Sequence, residues 1–188
     1  MSSSYRIELD KWISQLDVKA DRVLDIGGSQ LPAKGRTKSW DVKEYLIADI
    51  PEPHADSSKP QIELDLNEID PGYFEGDIDY IFCLEVFDYI YDPLNAMRII
   101  SKYLSKGGTA WVTFPTFYPH HNPIKHDALC YKEYGIRKLA EASGITIKQM
   151  IPRRPETNAL QNYFSAERLR AAKGYDHAVM GWIVEFTK

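Results

Sequence analysis

Three apolar runs within the first 65 residues each stop at an aspartate, and the first is followed at once by two glycines. The runs are Arg22-Val23-Leu24-Asp25-Ile26-Gly27-Gly28-Ser29, Tyr45-Leu46-Ile47-Ala48-Asp49 and Ile62-Glu63-Leu64-Asp65. A short run without polar alternation reads as a strand covered on both faces, as parallel sheets require. Glycines directly after such a strand let backbone N–H groups approach a ligand that a side chain would push away. In an open parallel sheet, ligands bind at the carboxyl ends of the strands near a topological switch point. Asp49 follows the glycines by about 20 residues, the distance at which an acidic side chain can accept hydrogen bonds from a ribose diol. The competing reading of any one such aspartate is a turn or helix cap. Three in order, the first followed by Gly-Gly, favour the ligand.

The rest of the chain alternates between the two periods. Leu9, Trp12, Ile13 and Leu16 predict an amphipathic helix over 5–16. Residues 27–44 are irregular, because Pro32, Gly35 and Arg36-Thr37-Lys38-Ser39 spoil a helix. Ile78-Asp79-Tyr80-Ile81-Phe82-Cys83 reads as a deeply buried strand. Asp92-Pro93 caps a helix lined by Leu94, Met97, Ile100 and Leu104, and Lys106-Gly107-Gly108 is its expected stop. A strand over 109–114, a helix over 131–143 with Gly144 as its stop, and strands over 146–151 and 179–186 complete the pattern. Residues 152–178 form a polar insertion. The expected organisation is one α/β domain over residues 1–188.

Composition narrows the class. With 188 residues, 44% hydrophobic and 27% charged, the chain can bury a proper core and is not a disordered sequence. A net charge of −4 argues weakly against a general nucleic-acid binder. No apolar run approaches the roughly 18–20 residues of a membrane helix, and Met-Ser-Ser-Ser-Tyr-Arg does not read as a signal peptide. Cys83 and Cys130 lie far apart and outside any metal-spaced cluster, so reduced thiols in a cytoplasmic protein are expected.

The ordered series resembles the class I S-adenosylmethionine-dependent methyltransferase family from about Val23 to Gly144. Val23-Leu24-Asp25-Ile26-Gly27-Gly28-Ser29 is similar to the family's first motif, and Leu46-Ile47-Ala48-Asp49 to its second acidic strand end. Leu64-Asp65-Leu66-Asn67 is similar to the adenine-holding segment. The stretch from Asp79 through Cys83-Leu84-Glu85-Val86-Phe87-Asp88 to Asp92-Pro93, with Tyr103-Leu104-Ser105-Lys106-Gly107-Gly108-Thr109 behind it, is similar to the fourth strand, its helix and the glycine turn that follows. The resemblance implies a Rossmann-like three-layer sandwich, with a mostly parallel seven-stranded sheet whose last strand is antiparallel. It also implies S-adenosylmethionine as cofactor. Asp25 and the backbone of Gly27 and Gly28 would border its methionyl part, and Asp49 its ribose. Asp65 and Leu66 would meet its adenine, and Cys83, Leu84 and Glu85 would line the sulfonium pocket.

The departures are Ser29 in place of a further glycine, Pro32 and Gly35 in place of a regular helix, Tyr89 in place of a histidine, and a nearly absent second crossover helix. Lys34, Arg36 and Lys38 either reach the cofactor carboxylate or form a solvated basic loop. A nicotinamide-dependent oxidoreductase would also use Asp49, but Ser29 and Pro32 stand where its later glycines belong. A non-catalytic binding protein on the same fold is the alternative from another class.

Beyond the fifth strand, Phe114-Pro115-Thr116-Phe117-Tyr118-Pro119-His120-His121-Asn122-Pro123-Ile124-Lys125-His126-Asp127 should overhang the transferable methyl. Methyl transfer depends on alignment of nucleophile, carbon and leaving sulfur, and an oxygen or nitrogen nucleophile often also needs a base. His121, His126 and His120 are the candidates, with Asp127 as orienting partner; a metal site and a plain polar loop are the rival readings. In the insertion, Arg153, Arg154, Arg168, Arg170 and Lys173 form either a solvated face or a site for an anionic acceptor. Such an acceptor could be a sugar phosphate, a nucleotide-linked sugar or a nucleic-acid end, and Asn158, Gln161 and Asn162 suit a hydroxyl-rich ligand. The expected function is methylation of an oxygen or nitrogen of a small polar acceptor, a carbohydrate among them.

Overall fold

The computed structural model describes residues 4–53, 59–117, 128–154 and 179–188. Seven strands form one sheet: β1 (Asp17–Ile26), β2 (Ser39–Asp49), β3 (Ile62–Glu63), β4 (Ile78–Cys83), β5 (Leu104–Pro115), β6 (Thr146–Arg153) and β7 (Gly181–Thr187). Their order is β3-β2-β1-β4-β5-β7-β6. The ladders from β3 to β5 are parallel, and β7 runs antiparallel to both of its neighbours. The expected sheet is therefore observed. The chain leaves β1 toward β2 on one side and returns to β4 on the other, so the switch point lies between the ends of β1 and β4.

Two helices, α2 (Pro93–Tyr103) and α3 (Glu133–Ser143), cover one face, where Leu24, Ile26, Ile81, Met97, Ile100 and Ile136 are buried together. The other face is covered by α1 (Ser4–Ile13), whose Leu9 and Ile13 join Val18, Val23, Phe82 and Trp111. This second layer is thin: residues 27–38, between β1 and β2, are turns and bends rather than a helix.

Several boundaries differ from the expected ones. β1 and β2 begin five and six residues earlier than their apolar runs, because they pair from Asp17↔Ser39 onward and backbone pairing needs no apolar side chain. Asp92 caps α2 by accepting from Asn95 N at 3.1 Å, with Pro93 in the first turn. The helix then ends at Tyr103 and passes directly into β5. Lys106-Gly107-Gly108 is thus not the helix stop but a kink near the start of that strand. A Cβ on Gly108 would lie 3.0 Å from the carbonyl oxygens of Asp79 and Ser105, which is why the pairing with β4 closes only around a glycine. Tyr131 lies before α3; its N–H donates to Pro115 O at 2.6 Å and its ring packs on Phe87 and Phe114. β6 continues through Pro152 and Arg153, the first two residues assigned to the insertion. Residues 155–178 lie outside the described residues.

Candidate functional site

The chain leaves β1 through a turn that only glycine can make. Gly27 has φ +79°, its N–H donates to Ala48 O at 2.7 Å, and a Cβ there would lie 2.3 Å from Val86 Cγ2. At Gly28 a Cβ would lie 2.6 Å from the carboxyl carbon of Asp25. That carboxyl cannot move aside. It is only 3% exposed, and its Oδ2 accepts from Ala33 N at 2.7 Å and from the Tyr45 hydroxyl at 2.5 Å. Burial pushes the Asp25 pKa up to about 6, against the pull of those two bonds and of Arg36, with Asp49 adding to the rise. Burial and the neighbouring Asp25 carboxylate push the Tyr45 phenol up as well, so it remains a donor.

Asp49 completes the bracket: Ser29 N–H donates to its Oδ2 at 3.2 Å and Ile50 N–H to its Oδ1 at 2.9 Å. Backbone donors at Ser29 and Ala33 and two acidic strand ends thus enclose the glycine turn. The irregular segment behind it is organised by Asp25 rather than by helix formation, which explains how Pro32 and Gly35 are accommodated. Of the basic residues there, Arg36 pairs with Asp10 at 2.8 Å and donates to Leu31 O at 3.2 Å, and Lys38 pairs with Asp17 at 2.9 Å. The Lys34 ammonium lies 5.8 Å from the centre of the Tyr45 ring.

On the other side of β2, Asp65 Oδ1 accepts from Asn67 N at 2.9 Å. Asn95, on α2, donates to Leu66 O at 3.0 Å and Glu68 O at 2.8 Å, while Asn67 donates to Tyr89 O at 3.2 Å. Two asparagines therefore bind the Asp65–Leu66 segment to the chain that follows β4.

Past β4, Cys83 is buried and its thiol pKa is raised by burial, then by Asp25 and Asp49; such a thiol is not a nucleophile. Glu85 adopts φ +59°, the left-handed region that non-glycine residues rarely occupy. Its N–H donates to Thr113 Oγ1 at 2.7 Å, and the Thr113 hydroxyl donates to Glu85 Oε1 at 2.9 Å. Arg153 donates to the same carboxylate through Nη1 at 2.5 Å and Nη2 at 3.3 Å. Arg153 is 1% exposed, so it does not belong to a solvated basic face.

The structure thus brings Asp25, Gly27, Gly28 and Asp49 into one turn, and Cys83, Leu84 and Glu85 onto the strand end beside it. His120, His121, His126 and Asp127 lie outside the described residues. Sequence reading missed Tyr45, Thr113, Asn67 and Asn95, whose partners are distant in the chain. It named Arg153 without its pairing.

No family profile and no curated protein sequence matches the chain. Solved structures do. An S-adenosylmethionine-dependent methyltransferase from Mesorhizobium loti is similar over 98% of this chain and 98% of its own, with TM-score 0.63 and 15% identity. A chain from Haloferax volcanii, solved in a complex with the Trm112 methyltransferase activator, is similar over 97% of this chain and 88% of its own, with TM-score 0.63 and 14% identity. The geranyl diphosphate C-methyltransferase from Streptomyces coelicolor, solved with S-adenosyl-L-homocysteine, is similar over 96% of this chain and 79% of its own, with TM-score 0.59 and 9% identity. The [4+2]-cyclase SpnF is also similar, with TM-score 0.60 over 98% of this chain. The chain has the class I methyltransferase fold.

Proposed function

On that fold as premise, we propose that the protein is an S-adenosylmethionine-dependent methyltransferase acting on an oxygen or nitrogen of a small polar acceptor. Fold alone does not name a reaction. The observation that carries the reading is the glycine turn at the β1–β4 switch point, which has no space for a Cβ at Gly27 or Gly28 and is bracketed by Asp25 and Asp49. The donor set suits the group. Its ribose offers a diol to Asp49, its ammonium and sulfonium charges suit acidic strand ends, and its amino-acid tail suits backbone at a glycine turn.

When bound, S-adenosylmethionine would supply an electrophilic methyl carbon on a positively charged leaving sulfur. The residues of this chain would do the rest. Gly27 and Gly28 would present backbone to the methionyl part, Asp25 would hold that turn from beneath, and Asp49 would hold the ribose. Asp65 and Leu66 would border the adenine, stapled by Asn67 and Asn95. Cys83, Leu84 and Glu85 would line the side from which the methyl faces the acceptor. His121, His126 and His120, with Asp127, would take the acceptor's proton where a base is needed. A small acceptor that is anionic or carbohydrate-like suits Arg154, Arg168, Arg170 and Lys173 and the amides of Asn158, Gln161 and Asn162; Arg153, buried against Glu85, is not among these groups. The described residues contain no helix long and apolar enough to cross a membrane.

Calorimetry with S-adenosylmethionine and S-adenosylhomocysteine tests the reading. Micromolar binding of both is expected, weakened at least tenfold by Asp49→Ala. Absence of heat and of thermal shift with either ligand at millimolar concentration refutes it.

A further inference from the structure

Glu85 stands out among the residues at the switch point because two separate strands, β5 and β6, hold it while its backbone takes an unfavoured conformation. Thr113 on β5 fixes its amide and one carboxylate oxygen, and Arg153 at the end of β6 grips both oxygens. Val86, next in the chain, packs against the Gly27 turn, so Glu85 sits beside that turn and not elsewhere on the sheet rim. The two charges of the pair are unequally placed. The Arg153 side chain is 1% exposed and that of Glu85 25% exposed, so the pair presents its negative end to the surface and keeps its positive end underneath.

We propose that Glu85 is the charge-selective residue of the donor site, favouring the cationic methyl donor over its neutral demethylated product, and that Arg153 is the positioning residue that holds it. This rests on the methyl-donor reading above. A carboxylate at the methyl-facing side of the site attracts the sulfonium of S-adenosylmethionine and has no corresponding charge to meet in S-adenosylhomocysteine. The two ligands are otherwise alike, so the ratio of their affinities reports on the charges around the sulfur, and its change on removing one charge gives that residue's share. Arg153 lowers the field of the carboxylate without cancelling it, because the carboxylate is the more exposed end of the pair. The preference for the charged ligand is therefore on the order of three- to tenfold.

The test is calorimetric titration of the parent protein, Glu85→Gln and Arg153→Lys with both ligands. Gln keeps the shape and the acceptor oxygen but not the charge, so Glu85→Gln is expected to lower the affinity ratio about three- to tenfold, whatever the absolute affinities become. Arg153→Lys keeps the charge but not the two-pronged grip, and is expected to lower the ratio by a smaller factor. A purely structural role for the pair would lower the melting temperature of both variants and leave the ratio unchanged, which overturns the proposal. An unchanged ratio in Arg153→Lys alone overturns the positioning role. Should Glu85→Gln fail to fold with Arg153 facing a neutral amide, the double variant Glu85→Gln/Arg153→Met removes both charges and must show the same loss of preference. Failure of the parent protein to bind either ligand would instead refute the methyl-donor reading itself.

Discussion

Asp25→Asn should remove a pH dependence that the turn builds into the fold. In the native protein the carboxyl is buried, and burial raises its pKa from 3.8 to about 6 despite bonds from Ala33 and Tyr45. The folded protein therefore holds this proton to a higher pH than the unfolded chain does. The stability contributed by the neutral carboxyl is fully present below 3.8 and is lost as the pH rises to about 6, after which it stays constant. At 1.36 kcal/mol per pH unit, the ionised group costs the native state about 3 kcal/mol at neutral pH. For a domain of this size that is about 6–12 °C in melting temperature. Asparagine keeps an oxygen that accepts from Ala33 N–H and Tyr45 O–H and carries no charge, so the variant lacks this component. Urea unfolding of parent and variant across pH 4 to 7.5 measures it, because other titrating groups cancel in the difference. The difference should move against the parent by about 2–3 kcal/mol over that range. Parallel stability profiles would show that the Asp25 carboxyl is not desolvated and would refute its role beneath the turn.

Gly27→Ala combines a left-handed φ with a collision on Val86 and should cost about 2–4 kcal/mol; adding Val86→Ala should recover the steric part and leave the conformational part, as read by thermal denaturation. Asp49→Ala should leave the melting temperature within a few degrees of the parent while weakening S-adenosylhomocysteine at least tenfold, because its bonds within the protein are two backbone contacts at a strand end. Asp92→Ala removes the cap accepted from Asn95 N and should cost about 1 kcal/mol of stability without changing ligand affinity. His121→Ala and His126→Ala should each retain ligand binding; loss of methyl transfer in one of them, once an acceptor is in hand, would identify the base.

Local chemistry made much of this protein readable from its residues. A strand covered on both faces must be apolar throughout, so Val23–Ile26 and the run from Ile78 to Cys83 announce themselves, and a helix cap such as Asp92-Pro93 is a contact within a few residues. The acidic strand ends and Gly27-Gly28 were legible for the same reason: a turn is decided by residues next to one another. The extents of β1, β2 and β5 were not, since their polar halves are strands only because a neighbouring strand satisfies their backbone. Lys106-Gly107-Gly108 misled for this reason, having the composition of a helix stop and the position of a strand.

The turn that opened the sequence reading shows where the division falls. That Gly27 and Gly28 make a tight turn at the end of a buried strand follows from their order after Asp25, which no tertiary contact alters. That Asp25 turns inward to Ala33 and Tyr45 follows from β2 lying beside β1, and that Arg153 reaches Glu85 follows from β6 and β4 ending on the same rim. Residues 20 and 68 positions apart have no local pattern that records their pairing. A strand, a cap or a glycine turn is specified by its own neighbours, whereas a buried charge is specified by whichever distant partner the folded sheet brings to it.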